Sequence, residues 1–178
     1  MKKLFVVCAL LLAGCGPTRD EIDCSAYVGD AWDAEELNRE EQRMLDRINE
    51  FRGNGLTCNG TYMEAVDPVE SDDALTCAAR MHAQDMLERD YFDHISPEGD
   101  DPADRAVVTG FTGRALSENI SCGRPDGQET TDALSQSTSG HCENIMDPDA
   151  ELVGVGGMTG GPTESNSWTH CWVQLFAE

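Results

Sequence analysis

Apolar positions recur at helical spacing through the first half of the chain. Leu37, Met44, Leu45, Ile48 and Phe51 fall on one stripe with charged residues between them, which predicts an amphipathic helix over 35–52 that stops at Gly53-Asn54-Gly55. A second stripe, Leu75, Ala78, Ala79, His82 and Met86, predicts a helix over 73–89 opened by Ser71-Asp72-Asp73. His82 lies within that stripe and reads as a hydrogen-bonded core histidine. A short helix is expected over 101–109, beginning at Asp101-Pro102 and ending before Gly110, and a weaker one around 129–138.

The period changes further along. Leu116 to Cys122 alternates loosely, and Leu152-Val153-Gly154-Val155-Gly156 is a short apolar run. From Trp168 to Phe176, Trp172, Gln174 and Phe176 alternate with Cys171, Val173 and Leu175. Gly157 to Ser167, rich in glycine, predicts a loop joining the last two strands. Helices early and antiparallel strands late predict an α+β fold, not repeated βαβ units.

The N-terminus removes part of the chain from that fold. Lys2 and Lys3 precede an apolar run, Leu4 to Leu12, too short to span a bilayer as a permanent helix. The run ends in Leu12-Ala13-Gly14-Cys15, an order similar to a bacterial lipobox; an ordinary secretory signal cut nearby is the alternative. The expectation is a signal peptide over 1–14 and an acylated Cys15. Two acyl chains hold a protein on a membrane, whereas one binds only marginally. Gly16 after the cysteine resembles the outer-membrane default of cells with two membranes. Residues 15–35, polar and acidic, read as a tether whose arm is pinned at Cys24, and 36–178 as one domain.

Charge and cysteine content narrow the function. The 178 residues carry 34 acidic and 12 basic side chains, a net charge of −22, and the leader takes with it both lysines. With no basic patch to meet phosphate, nucleic acid and anionic head groups are poor partners, and cations or basic surfaces are better matched. Setting aside Cys8 and Cys15 leaves Cys24, Cys58, Cys77, Cys122, Cys142 and Cys171, an even set that reads as disulfides in an exported chain. Cys142 beside His141 has the makings of a thiol nucleophile with its base, but that chemistry needs a free thiolate in an oxidising compartment.

Five segments together carry a resemblance: "CAARMHAQDMLERDYFDHISPEGDDPADR" (77–105), "GFTGRALSENISCG" (110–123), "SGHCENIM" (139–146), "LVGVGG" (152–157) and "CWVQLF" (171–176). Their order and spacing resemble bacterial CAP-domain proteins, of the superfamily of cysteine-rich secretory proteins, antigen 5 and plant pathogenesis-related proteins, over about residues 37–176. The resemblance implies an α-β-α sandwich, an antiparallel sheet between helix layers, with a cleft holding two histidines and two acids. His94 in "YFDHISPEG" matches the first histidine, Glu118 in "SEN" the first glutamate, and His141 in "SGHC" the second histidine. Alternation places Glu118 with Ile120 and Cys122 on one face of its strand.

The departures are specific. Residues 133–140 (ALSQSTSG) contain no acid where the second glutamate is customary, and Glu129, Asp132 and Glu143 are out of register. Ser135 stands where a tryptophan is usual, Ser117 where a glycine is, and Cys171 where an aromatic is common. The resemblance also implies a Cys58–Cys142 bridge, with Cys58–Cys77 as the alternative and the other pairings open.

His94 and His141, with Glu118 beside them, make a divalent-metal set suited to zinc. A zinc hydrolase would share those groups and an open position for water, but no H-E-x-x-H helix is present. The expected function is therefore that of a lipid-anchored, extracytoplasmic CAP domain. Its His/Glu cleft would bind a peptide, lipid or cell-wall fragment, with a divalent metal as candidate cofactor. A metal-dependent cell-surface hydrolase is the alternative.

Overall fold

The computed structural model describes residues 24, 34–160 and 167–178. The signal peptide 1–14, Cys15 and nearly all of the 15–35 tether lie outside the described residues, as do residues 161–166 of the loop before the last strand. The elements are α1 (Ala34–Asn54), β1 (Leu56–Cys58), β2 (Thr61–Met63), β3 (Glu70–Ser71), α2 (Asp73–Arg89), α3 (Pro102–Val108), β4 (Ala115–Cys122), α4 (Gly127–Ser135), α5 (His141–Ile145), β5 (Leu152–Thr159) and β6 (His170–Ala177).

Four strands make one sheet in the order β3-β5-β6-β4. β6 pairs antiparallel with both β4 and β5, while the two-residue edge strand β3 runs parallel to β5, the one departure from the expected antiparallel sheet. Helices cover both faces. Trp172 and Phe176 of β6 join Val153 and Val155 against Met44 and Ile48 of α1, Leu134 of α4 and Ile145 of α5. Val173 and Cys171 face Ala79, Ala83 and Met86 of α2, and Leu175 meets Leu75, Ala78 and Ala106 of α2 and α3. A strand buried on both sides reads as a near-continuous apolar run, as β6 does.

Two glycines explain how α2 lies so close to the sheet. A Cβ at Gly154 would come within 2.1 Å of the Leu75 backbone, and one at Gly156 within 2.3 Å of the Arg80 backbone. The glycines that interrupt the apolar run of β5 are where the helix backbone rests on the strand.

The boundaries differ from expectation where local chemistry is subtle. α1 continues through Gly53 and Asn54, and the chain turns only at Gly55, whose φ of 72° is left-handed. α4 occupies 127–135 instead of 129–138, because the Asp126 carboxylate caps it by accepting from the Glu129 amide. α5, β3 and the β1–β2 hairpin, turned by Asn59-Gly60, are too short to leave a periodic signal.

Three disulfides form: Cys24–Cys77, Cys58–Cys142 and, between paired residues of β4 and β6, Cys122–Cys171. Cys77 is taken by Cys24, so the Cys58–Cys77 alternative does not form. The Cys58–Cys142 bridge spans 84 residues and joins the strand after α1 to α5. Loop-closure entropy makes such a bridge stabilising by about 4.5 kcal/mol.

A second tie runs parallel to it. The Arg52 guanidinium is fully buried and donates to four backbone carbonyls: Asp67 at 2.7 Å, Ile145 at 2.9 Å, Asp147 at 2.8 Å and Ala150 at 2.9 Å. Methionine matches the stem but leaves those buried acceptors unpaired. Arg52→Met is expected to lower stability by about 3 kcal/mol, measured as the shift of the urea midpoint, and Arg52→Lys to recover only part of it because one ammonium cannot span the carbonyls.

Candidate functional site

β4 is an edge strand, so side chains from both helix layers can reach it. Alternation turns Glu118 toward α2 and α3 and its neighbour Asn119 toward α4 and α5, opposite Leu175 and Gln174 respectively on β6. Each of the two residues holds one of the histidines.

Glu118 is only 7% exposed, and a buried carboxylate must be paired. Its Oε2 accepts from Arg105 Nη2 at 2.8 Å and its Oε1 from His94 Nδ1 at 2.8 Å. Arg105 projects from α3, a short helix fixed at its start by Pro102 and by a capping box between Asp101 and Asp104. Its Nη1 also donates to the carbonyls of His94 (3.0 Å) and Asp100 (2.9 Å), so one guanidinium fixes both the carboxylate and the loop that carries His94. The hydrogen bond to Glu118 holds the His94 pKa above the usual histidine value.

His82 of α2 is fully buried, as its place in the apolar stripe predicts, and its Nε2 donates to the Asp93 carbonyl at 2.9 Å. Burial pushes its pKa down, so the 3.9 Å approach of its ring to Glu118 is that of a neutral imidazole.

His141 begins α5, after Gly140 in the left-handed conformation (φ 91°). The His141 carbonyl accepts from Asn119 Nδ2 at 3.1 Å. Asn119 also donates to Gln174 Oε1 (3.0 Å) and accepts from Asn144 Nδ2 (2.8 Å), and Gln174 donates to Thr131 Oγ1 (3.2 Å). This buried amide chain and the Cys58–Cys142 bridge locate the His141 backbone from two sides. Burial lowers the His141 pKa, and the positive charge of His94 lowers it further, so the two imidazoles are electrostatically coupled.

The ring of His141 lines a hollow of about 430 Å³ with Phe92, Ile120, Arg124 and Leu134. Phe92, 49% exposed, packs at 5.8 Å on Trp168. Glu118 instead borders a smaller hollow of about 160 Å³ with Asp101, Pro102 and Leu116. The structure thus brings His94 directly onto Glu118, with His141 in the neighbouring hollow.

Among the described residues no three His, Cys, Asp or Glu side chains converge closely enough to hold a metal ion. Both oxygens of Glu118 are committed, so it stands behind His94 as an orienting partner. Donation from Nδ1 leaves Nε2 as the free lone pair of a neutral His94, the arrangement commonly found behind metal-bound imidazoles. The donor chemistry therefore fits a metal held by the two imidazoles, with its other positions open. Of the acids out of register, Asp132 pairs with Arg47, whereas Glu143 Oε2 is buried without a hydrogen-bond partner among the described residues. The Glu143 charge acts on His141, raising its pKa against the two larger opposing effects.

Arg105 and the Asn119–Gln174–Asn144 chain are the candidate-site residues that the sequence pattern alone did not bring forward. A signal existed for both. Arg105 is an isolated cation beside an apolar helical stretch, and if Glu118 faces one layer its neighbour must face the other.

A family model described as "CAP: Cysteine-rich secretory protein family" matches residues 45–176. The chain is 32% identical over 121 residues to "Uncharacterized protein YkwD" of Bacillus subtilis (strain 168), covering 68% of this chain and 44% of the relative. It thus spans less than half the length of that curated relative. Two solved structures are similar: an extracellular protein containing a SCP domain from Bacillus anthracis str. Ames (22% identity, TM-score 0.64, 80% of this chain and 41% of that one) and an outer surface protein from Borrelia burgdorferi (18%, 0.65, 80% and 94%). At these identities the two structures speak for the fold alone.

The opposed shifts of the histidines give a direct test. In a metal-free pH titration followed by the imidazole NMR signals, His94 is expected to titrate above about 6.5, and His82, His141 and His170 below it. The His94–Glu118 contact then contributes stability that is complete below the unfolded-state pKa and lost as pH rises through the raised folded value. A His94 midpoint below that of His141 contradicts the pairing.

Proposed function

The chain belongs to the cysteine-rich secretory protein family, and from that membership we propose that it is an extracytoplasmic, lipid-anchored binding module. The hollow beside His141 takes a peptide, lipid or cell-wall fragment. Three disulfides suit an oxidising compartment, and the Lys2-Lys3 leader ending in Cys15 supports anchoring through an acylated cysteine. The observation that carries binding over catalysis is the state of Glu118: buried, with one oxygen accepting from Arg105 and the other from His94, it is held between those two side chains instead of standing open to a water. What it does is orient an imidazole.

A divalent metal in this site would be held by His94 and His141 and would polarise an oxygen of the bound ligand. His94 is steadied for that role by Glu118 and Arg105, and His141 by the amide chain and the disulfide. Phe92, Ile120 and Leu134 give the hollow an apolar side, and Ser121, Arg124 and Gln136 a polar one. One observation favours hydrolysis as a second reading: Glu143 Oε2, without a hydrogen-bond partner among the described residues, lies within electrostatic reach of His141.

Zinc titrated into the metal-free protein is expected to saturate at one ion per chain, by calorimetry, and the His94→Ala/His141→Ala double variant to lose that site. Equal binding by both discards the metal. A broad hydrolase screen of the zinc-loaded protein is expected to find no turnover; activity that disappears in Glu143→Gln would replace the binding reading with the hydrolytic one.

Cys15→Ser is expected to move the protein from the membrane to the soluble fraction or to block leader removal. Unchanged fractionation with membranes would remove lipidation from the proposal.

A further inference from the structure

The hollow at His141 stands apart from the others in charge. The other hollows described each have two or more carboxylates in their walls, as a chain with 34 acids leads one to expect. The hollow of about 430 Å³ beside His141 has none, and its one arginine is Arg124. Its size falls within the range of roughly 300–1,000 Å³ usual for ligand pockets.

Arg124 is unlike the other arginines. Arg43, Arg47, Arg80, Arg89, Arg105 and Arg114 each meet a carboxylate. Arg52 takes four carbonyls, and Arg39 also has a partner. Among the described residues only the Arg124 guanidinium, which is exposed, meets no other group. The turn that carries it is nevertheless fixed. Trp172 Nε1 donates to the Arg124 carbonyl at 2.9 Å, and the Gly123 amide to the His170 carbonyl at 2.8 Å, so β6 holds the turn from below. Gly123 permits this with a left-handed φ of 95°. Asp126, two residues on, turns to α4 instead, accepting from the Glu129 amide at 2.7 Å. A cation is thus held at the hollow with its charge unmatched.

The remaining lining says what accompanies an anion there. The apolar side is short, made by Phe92, Ile120 and Leu134. Around it Ser121, Gln136, Ser137, Thr138 and Ser139 supply hydroxyls and an amide. Ser137 Oγ already accepts from the Ser139 amide at 3.1 Å, which leaves its O–H to donate. Such walls suit one apolar side chain flanked by peptide groups. A long acyl chain would lay its methylenes against hydroxyls. The net charge of −22 repels anions at a distance, so the ligand's charge has to be met at contact.

Resting on the reading of this hollow as the binding site, we propose that its ligand is the free C-terminus of a peptide ending in an apolar residue. The α-carboxylate pairs with the Arg124 guanidinium, whose fork matches two carboxylate oxygens. The last side chain lies against Phe92, Ile120 and Leu134, and the hydroxyls with Gln136 meet the peptide groups.

The test is calorimetric titration of the full chain with acetyl-dialanyl-phenylalanine and with the same peptide as its C-terminal amide. Salt at about 0.15 M shortens the screening length to about 8 Å, which damps the long-range repulsion and leaves the contact. The acid is expected to saturate at one per chain and the amide to bind about tenfold more weakly. Arg124→Gln should bring the acid down to the level of the amide and leave the amide unchanged. Its thermal midpoint should not move, because the guanidinium has no partner to lose. Phe92→Ala, at a half-exposed position, should weaken acid and amide alike. Equal binding of acid and amide by wild type, or a preference for the acid that survives Arg124→Gln, overturns the carboxylate contact and leaves the hollow as a binding site. Octanoate binding where the peptide does not overturns the peptide in favour of an acyl carboxylate. Peptide binding untouched by both Phe92→Ala and Arg124→Gln overturns the proposal together with the reading of the hollow on which it rests. No saturable binding of either peptide overturns the proposal outright.

Discussion

A buried carboxylate organises this protein's surface chemistry. Glu118 sits on an edge strand with its side chain inside, and the charge is tolerable there only because Arg105 and His94 close on it. From that requirement much else follows. α3 must stand where its arginine can reach the strand, which its proline start and capping box secure. The 93–100 segment must return its carbonyls to the same guanidinium, and His94 arrives with its ring already oriented. The adjacent residue on β4 performs the mirror task with neutral groups: Asn119 fixes the His141 carbonyl from the opposite layer. One strand thus sets two histidines through two chemistries, an ion pair and an amide chain, and the alternation of a β-strand makes that possible with consecutive residues.

The two histidines consequently differ in character. His94, against a carboxylate, is biased toward the charged form, while His141, partly buried and facing a positive neighbour, is biased toward the neutral one. Such opposition gives the site one ring that readily donates and one that readily accepts near neutral pH. The aromatic pair Phe92–Trp168 adds an apolar rim beside them. An amphipathic ligand meets all three features at once.

The long, periodic parts of this fold are legible in the sequence, whereas the candidate histidines are reached only through the motifs of a resemblance. α2 begins and ends at the expected residues because its apolar stripe is long and Asp72 gives a clear start. β6 reads as a strand because its two faces differ in kind yet are both buried. α5 and β3 are invisible for the opposite reason: five and two residues are too few to establish any period. The Cys58–Cys142 bond came within reach only through resemblance, since spacing cannot choose among cysteines. Arg52 and Arg105 were missed because composition treats arginine as a surface residue. In this chain two of the few cations are core elements, each satisfying groups that no apolar side chain could.

That use of arginine bears on the charge of the whole molecule. With 34 acids against 12 basic side chains, and with Arg52 and Arg105 drawn inward, the outer field is negative. Such a field repels phosphate and attracts basic segments at long range, while short-range selection falls to particular unpaired atoms. Arg105 shows what one inward cation does: its guanidinium closes on Glu118 and on the His94 and Asp100 carbonyls, so the planar fork that meets a buried carboxylate also holds the loop carrying His94.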